Sequence, residues 1–506
     1  MKIFTAEEIR LWDQYTIEHE PVASVDLMER AAMRCVSWLE ANGYMENQFV
    51  VFCGKGNNGG DGLAVARLLA ARKYHVRIFI LEFGHKGTGD FQINLARLHE
   101  YPEVDIRFVQ TEKNFHEFNN GEIIIDALYG SGLNRGLEGV TANLVEHINT
   151  SGCEIISIDI PSGLFVDKSS KGNTIIKADH TLSFQCYKPA FFVAENAAYI
   201  GEVHILDIGL YPDFYNSTFS PYELIDDTII QSIYKPRNRF AHKGNFGHAL
   251  LIAGSYGKIG AAVLAAKACL RSGVGLLSCH IPKCGYDILQ TTIPEAMVMI
   301  DFNSSFNTKI EDDPTKYEAI GIGPGIGIAS ETKTLLKEIF DSYRRPLILD
   351  ADALNIIATQ KDLLKLIPVG SILTPHPKEF ERIFGEGKND FDRIQLAFQK
   401  AKELNVVIVL KGHHTFIATP DGKAFFNNTG NAGMATGGSG DVLTGILTGL
   451  LAQGYNSVDT AILGVYLHGV AGDCAAKKIS EEAMIAGDII ENLGEAFIQT
   501  DQPPSI

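Results

Sequence analysis

The sequence predicts an α/β protein built as two three-layer αβα domains. Three observations carry this. Short apolar runs alternate with helical segments along most of the chain, as expected for parallel strands joined by crossover helices. The alternation breaks over about residues 211–240, where turn formers and then basic residues dominate, and it restarts near His248. Finally, 506 residues exceed one ordinary core, since domains run roughly 100–200 residues, with larger α/β domains above that. The boundary is placed near residue 220, giving domains 1–220 and 221–506.

Composition narrows the function. Hydrophobic residues make up 45% and charged residues 21%, a globular balance. The net charge of −17, from 44 basic and 61 acidic residues, argues against a nucleic-acid partner or an anionic membrane surface. Local basic groups can still hold phosphates. None of the eight cysteines forms a C-x-x-C pair; the closest two are Cys279 and Cys284. No zinc or redox pattern follows, and reduced thiols of a cytoplasmic protein are expected. The start, MKIFTAEEIRLWDQ, is amphipathic and acidic, unlike a signal peptide. No apolar run reaches the roughly 18–20 residues that span a bilayer. No membrane partner is expected.

In chain order, residues 1–40 read as helical, with Ile9, Leu11 and Trp12 and then Leu27, Met28, Ala31 and Ala32 at helical spacing. FVVFCG (49–54) is a strand, KGNNGGDG a turn and LAVARLLAARK a helix. Strands follow at 75–83, 122–130, 154–163, 181–186 and 202–209. The second half opens with HALLIAGS (248–255) and a small-residue helix, GAAVLAAKACLRSG. GLLSCHIP, EAIGIGPG, PLILDADALN, SILTPHPKE and VVIVLKG read as strands with polar residues at their C-terminal ends. No repeat or low-complexity tract appears.

The first half carries Gly54-Lys55-Gly56-Asn57-Asn58-Gly59, a G-x-G-x-x-G match between a strand and a helix. Such glycines let backbone amides approach a phosphate at a helix start. Alone it is also what a tight glycine turn looks like. Asn57, Asn58 and Asp61 add side-chain oxygens, while Asp126, Asp159 and Ser162 end nearby strands. C-terminal strand ends converge on one crevice in an open parallel sheet. Asn58, Asp126 and Ser162 are therefore candidate oxygen ligands for a hard cation. Taken singly, a strand-end Asp is as well explained as a helix cap.

GKGNNGGDG, DALYGSGLNR and IDIPSG resemble the N-terminal domain of the bifunctional NAD(P)H-hydrate repair enzymes, over about residues 1–215. The resemblance implies a Rossmann-like epimerase domain that interconverts the R and S hydrates and binds potassium. It places Asn58, Asp126 and Ser162 at the potassium ion. It places Asn57, Asn58, Gly59, Gly60, Asp61, Gly130, Ser131, Gly132, Leu133, Asn134, Arg135, Gly136 and Asp159 at the substrate. Tyr129 stands where the family commonly has Phe. Asp159 is the candidate acid/base or ring-polarising group.

In the second half Gly437-Gly438-Ser439-Gly440-Asp441 precedes the helical VLTGILTGLLAQG. The glycines free amides to face an anion, and the helix start favours negative charge. Asp441 is the candidate base for phosphoryl transfer; its plain alternative is a helix cap. No Walker G-x-x-x-x-G-K-[ST] is present. Lys411, Asp350, Asp352, His376 and Glu379 all stand at or just past strand ends. KGNFGHALLIAGSYGKIGAAVLAAKACLRSGVGL, GIGPGIG, LDADALN, LTPHPKEF, KGHHT and NAGMATGGSGDVLTG together resemble the ADP/ATP-dependent NAD(P)H-hydrate dehydratases, over about residues 230–495. This implies a ribokinase-like fold with Asp441 as base at the hydrated cofactor. Ala262, Gly325 and His376 would line the hydrate site, and Lys411, Gly412, His413, His414, Thr415 and Gly440 would hold the adenine nucleotide.

The expected chemistry is repair of hydrated NADH or NADPH: epimerisation in the first domain, and ADP- or ATP-driven dehydration of the S hydrate in the second. Magnesium comes with the nucleotide by chemistry and family. A homo-oligomer is expected, as is common for such folds. The main alternative is a ribokinase-like small-molecule kinase fused to a nucleotide-binding Rossmann-like domain. A dehydrogenase, using G-x-G-x-x-G with Glu82, would leave TGGSGD unexplained.

Overall fold

The computed structural model describes residues 1–501, apart from the side chain of Met45. The chain divides into two compact units. One comprises Lys2–Ser220 with Asn389–Phe391; the other comprises Met1, Pro221–Lys388 and the chain from Asp392 on.

The first unit opens with two helices, Ala6–His19 and Ser24–Ala41, where the sequence reads as one helical stretch. Pro21 lies between them and cannot supply a helical amide donor. Seven parallel strands follow: β1 (Gln48–Cys53), β2 (His75–Leu81), β3 (Asp105–Val109), β4 (Glu122–Ala127), β5 (Glu154–Ile158), β6 (His180–Phe184) and β7 (Glu202–Leu206). Their order in the sheet is β3-β2-β1-β4-β5-β6-β7. The order reverses between β1 and β4, so a crevice forms beyond their C-terminal ends. Alternate residues feed two cores. Val51, Ile78 and Ile125 pack in the cluster that holds the helices Ser24–Ala41 and Asn57–Ala71. Val50, Phe79 and Ile124 pack in the cluster that holds Leu144 and Ile148 of the helix Gly139–Asn149. The layers are thus helix, sheet, helix.

The second unit contributes ten strands: β8 (Tyr222–Leu224), β9 (His248–Ile252), β10 (Leu276–Pro282), β11 (Met297–Asp301), β12 (Ala319–Ile322), β13 (Leu347–Leu349), β14 (Ile372–Leu373), β15 (Val407–Leu410), β16 (Thr415–Ala418) and β17 (Ala424–Asn427). They order as β8-β17-β16-β15-β14-β13-β12-β9-β10-β11. From β11 to β15 neighbours are parallel; β16 and β17 form an antiparallel hairpin after them. The helix Ser439–Ala452 is buried along almost its whole length. It packs closely on the helix Ile259–Arg271: a Cβ at Gly445 would lie 2.1 Å from the Ala265 carbonyl oxygen. Only glycine fits there.

The strands β3, β8, β11, β16 and β17 add to those the sequence predicts. β3 and β11 are sheet edges with mixed exposure, so neither shows a continuous apolar run. Among the described residues no helix is long and apolar enough to cross a membrane.

Candidate active sites

In the first unit the glycine turn follows β1 and opens the helix Asn57–Ala71. Two glycines are enforced by contact: a Cβ at Gly54 would lie 1.9 Å from the Leu128 carbonyl oxygen, and one at Gly59 would lie 1.8 Å from that of Gly54. The turn is thereby pressed against the loop after β4. A cavity of about 1020 Å³ opens at these strand ends. Of the predicted substrate residues, Asn57, Asn58, Asp61, Gly130, Ser131, Gly132, Leu133, Asn134, Arg135 and Asp159 line it. Gly59, Gly60 and Gly136 are not among its lining residues. A Cβ at Gly60 would meet the Met28 sulfur at 2.8 Å, and one at Gly136 the Asn173 side-chain oxygen at 3.0 Å. These glycines permit packing behind the wall.

Asp159 is buried and sits at φ +70°, in the left-handed region. Its carboxylate lies 2.9 Å from the ammonium of Lys188, a side chain with no exposure, and accepts the Ser131 amide at 2.8 Å. Lys188 also donates to the Asp159 carbonyl oxygen at 3.0 Å and to the Ser183 hydroxyl. Burial would raise the Asp159 carboxyl, but Lys188 and Ser131 outweigh it and hold the group below its ordinary value. Among the other carboxyls that line the same cavity, Asp13 and Asp61 are the ones whose charge Asp159 opposes. Burial, and then the Asp159 charge, push Asp13 up to about 7. The same two causes raise Asp61 well above its ordinary value. Lys188 favours the ionised forms of Asp159 and Asp13, while the three buried carboxyls oppose one another's ionisation. Sequence reasoning missed Asp13 and Lys188. The one available signal for Lys188 was a lone cation inside the otherwise apolar CYKPAFF.

Asp126 and Ser162 meet: the Ser162 hydroxyl donates to one Asp126 oxygen at 2.6 Å, and the Ser162 amide donates to the other at 2.9 Å. Asp126 also accepts the Ser157 hydroxyl and the Leu128 amide. Ser162 accepts the Tyr129 amide at 2.8 Å, one residue before Gly130. A Cβ at Gly130 would lie 3.1 Å from the Asn58 side chain. The Asn58 amide is buried, and neither its oxygen nor its nitrogen has a hydrogen-bond partner among the described residues. Asn58 is free to ligate a cation; Asp126 and Ser162 are largely committed to each other. Glu82 is taken by Lys55 at 2.5 Å, which leaves the dehydrogenase reading without its acidic ribose partner.

In the second unit Gly438 adopts φ +95° and caps the start of the helix Ser439–Ala452, with Asp441 in its first turn. Lys411, just past β15, lies 2.8 Å from Asp350, which is buried past the end of β13 and also accepts the Thr444 hydroxyl at 2.8 Å. A Cβ at Gly440 would stand 3.5 Å from the Lys411 nitrogen. Gly440, Lys411, Asp350 and Thr444 therefore converge. Burial, and then the Asp350 charge, push Asp441 up to about 6, opposed by Lys411. Asp352 accepts the Gly327 amide at 2.9 Å and lies 3.2 Å from Lys258.

Gly412, His413 and His414 form the turn from Lys411 into β16, where Thr415 is the first residue; the two imidazoles are 4.4 Å apart. His376 caps the helix Pro377–Phe384: its ring accepts the Glu379 amide at 3.3 Å, and its own amide donates to the Glu379 carboxylate at 2.9 Å. Burial lowers its imidazole below the ordinary value. Gly325 takes φ +63° beside the Lys258 backbone, and its carbonyl accepts the Ser255 hydroxyl at 2.6 Å. Ala262 is 1% exposed in the apolar core, close behind the turn that follows β9: a Cβ at Gly254 would lie 3.2 Å from its own Cβ. Small residues repeating through that helix suit packing as well as they suit a site wall.

One unit holds a Rossmann-like crevice and the other a ribokinase-like glycine-rich helix start, and each suits a nucleotide-sized substrate. Comparison with known proteins gives the particular family. Residues 249–494 match the family described as NAD(P)H-hydrate dehydratase, and residues 24–190 match the YjeF-related protein N-terminus. The bifunctional NAD(P)H-hydrate repair enzyme Nnr of Moorella thermoacetica is 35% identical over 97% of this chain and 96% of its own. The Escherichia coli K12 protein of the same name is 30% identical over 97% and 93%. A ribokinase-like superfamily protein from Enterococcus faecalis V583 is similar in structure, with TM-score 0.50 and 29% identity, over 56% of this chain and 99% of that one. The chain belongs to the bifunctional NAD(P)H-hydrate repair enzyme family.

Proposed function

We propose that the chain repairs hydrated NADH and NADPH. Residues 1–220 interconvert the R and S hydrates, and residues 221–506 dehydrate the S hydrate with ADP or ATP. The observation that carries this is the placement of Asp441: a half-buried carboxylate on a glycine-lined helix start beside Lys411 and Asp350, in a chain matched over nearly its full length by repair enzymes.

In the second unit Asp441 takes the proton of the ring hydroxyl as that oxygen attacks the terminal phosphoryl group. AMP or ADP leaves. The ring nitrogen then expels phosphate, a proton leaves the neighbouring ring carbon, and the reduced cofactor returns. Amides around Gly438 and Gly440 face the moving charge, which is positioning plus electrostatics. Magnesium would arrive with the nucleotide phosphates and offset their charge.

In the first unit the carbon that bears the hydroxyl also bonds the ring nitrogen. Asp159, held ionised, takes the hydroxyl proton while Asp13, carrying a proton near neutrality, protonates that nitrogen. The ring carbon–nitrogen bond opens and recloses from the other face. Potassium would be held by the Asn58 oxygen with Asp126 and Ser162 alongside, supplying fixed positive charge to a carboxyl-rich cavity. A cytoplasmic setting belongs to the same reading, supported by eight free cysteines. A homo-oligomer is part of it as well, to be checked by light scattering.

The test mixes purified protein with R and S hydrates, potassium, magnesium and either ATP or ADP. Repair restores reduced-nicotinamide absorbance and releases inorganic phosphate. A stable phosphorylated product without phosphate release would favour the kinase alternative and overturn the reading.

A further inference from the structure

We infer that the first unit carries a binding site for a divalent transition ion of the zinc class, built from His180, His204 and Glu202. It lies where β6 and β7 begin, at the end of the sheet away from the cavity. His180 pairs in register with Glu202, and Leu182 with His204. Paired residues and alternate residues share a face, so two adjacent strands present all three side chains together.

The donor geometry is close to a coordination shell. His180 Nδ1 and His204 Nε2 are 3.1 Å apart. A Glu202 carboxylate oxygen lies 3.8 Å from the first and 3.9 Å from the second. Ligands about 2.0–2.1 Å from a tetrahedral zinc stand roughly 3.3 Å from one another. The two imidazoles already meet that spacing. The Glu202 side chain is 70% exposed and free to swing in. Two imidazoles and a carboxylate leave one position for water, and this donor set suits zinc or its neighbours rather than calcium or magnesium.

The surroundings support this assignment over a chance pair of histidines. The other ring nitrogen of His180, Nε2, lies 3.4 Å from the Glu154 carboxylate, which accepts the Tyr44 hydroxyl. A carboxylate behind a metal-bound imidazole fixes its tautomer and aim, and leaves Nδ1 facing the ion. The Trp38 ring packs against both imidazoles, with centroids 5.2 and 4.7 Å away, and limits their rotation.

The test uses the full chain, stripped with chelator and titrated with Co²⁺ and then Zn²⁺. One Co²⁺ should bind per chain with tetrahedral visible absorption, and Zn²⁺ should displace it. His204→Ala should abolish that absorption. Glu202→Ala and Glu154→Gln should weaken binding, the latter on the order of ten-fold as for an outer-shell partner. Glu202 is largely exposed, so its variant reads the site even if a histidine variant fails to fold. Absence of saturable binding, or binding unchanged in both His204→Ala and Glu202→Ala, overturns the inference.

Discussion

A well-placed carboxylate can still be costly to ionise, and Asp441 is such a case. Burial and Asp350 push it up to about 6. It acts as base only when ionised, so dehydration of the S hydrate should be full above that value and fall as pH drops through it. A pH profile of kcat/KM checks this. Asp441→Asn should cost about 10²–10⁴-fold in dehydration and leave epimerisation intact. Asp159→Asn should do the reverse. Asp13→Asn removes the group poised near 7, so epimerisation should slow and lose its decline at high pH. Lys188→Met leaves Asp159 buried without its cation, a change of about 3–5 kcal/mol, read as a lower denaturant midpoint. Motifs made Asp159 and Asp441 legible in the sequence. Asp13 and Lys188 were not, because only the fold brings residue 13 beside residues 159 and 188.

At the scale of elements, glycines record close approaches. Gly445→Ala would drive a Cβ into the Ala265 carbonyl. It should destabilise the second unit by about 1–3 kcal/mol or more, visible as a lower melting temperature with the KM for nucleotide little changed. Central strands such as β4, buried at every position, announce themselves as apolar runs. The edges β3 and β11 do not, since half of each faces solvent. The β16–β17 hairpin carried a legible turn, Pro420-Asp421-Gly422, with Gly422 at φ +84°. Its two strands are only four residues each and buried at nearly every position, so no alternation marks them as a pair.

On the scale of the whole molecule, alternation of strands and helices disclosed two α/β sheets, but it could not disclose their strand order. Order depends on which crossovers pack, a long-range matter. If substrate simply diffuses between the two activities, equal amounts of Asp159→Asn and Asp441→Asn proteins should together repair R hydrate. The return of nicotinamide absorbance measures this, against neither variant alone doing so. The helix that begins at Ser439 has one further consequence. It is embedded on nearly every side, and its first turn carries Asp441. That carboxylate has no private looseness to lose first. On heating, dehydration should vanish in step with the cooperative melting of its surroundings rather than ahead of it, so enzyme assay and calorimetry should trace one curve.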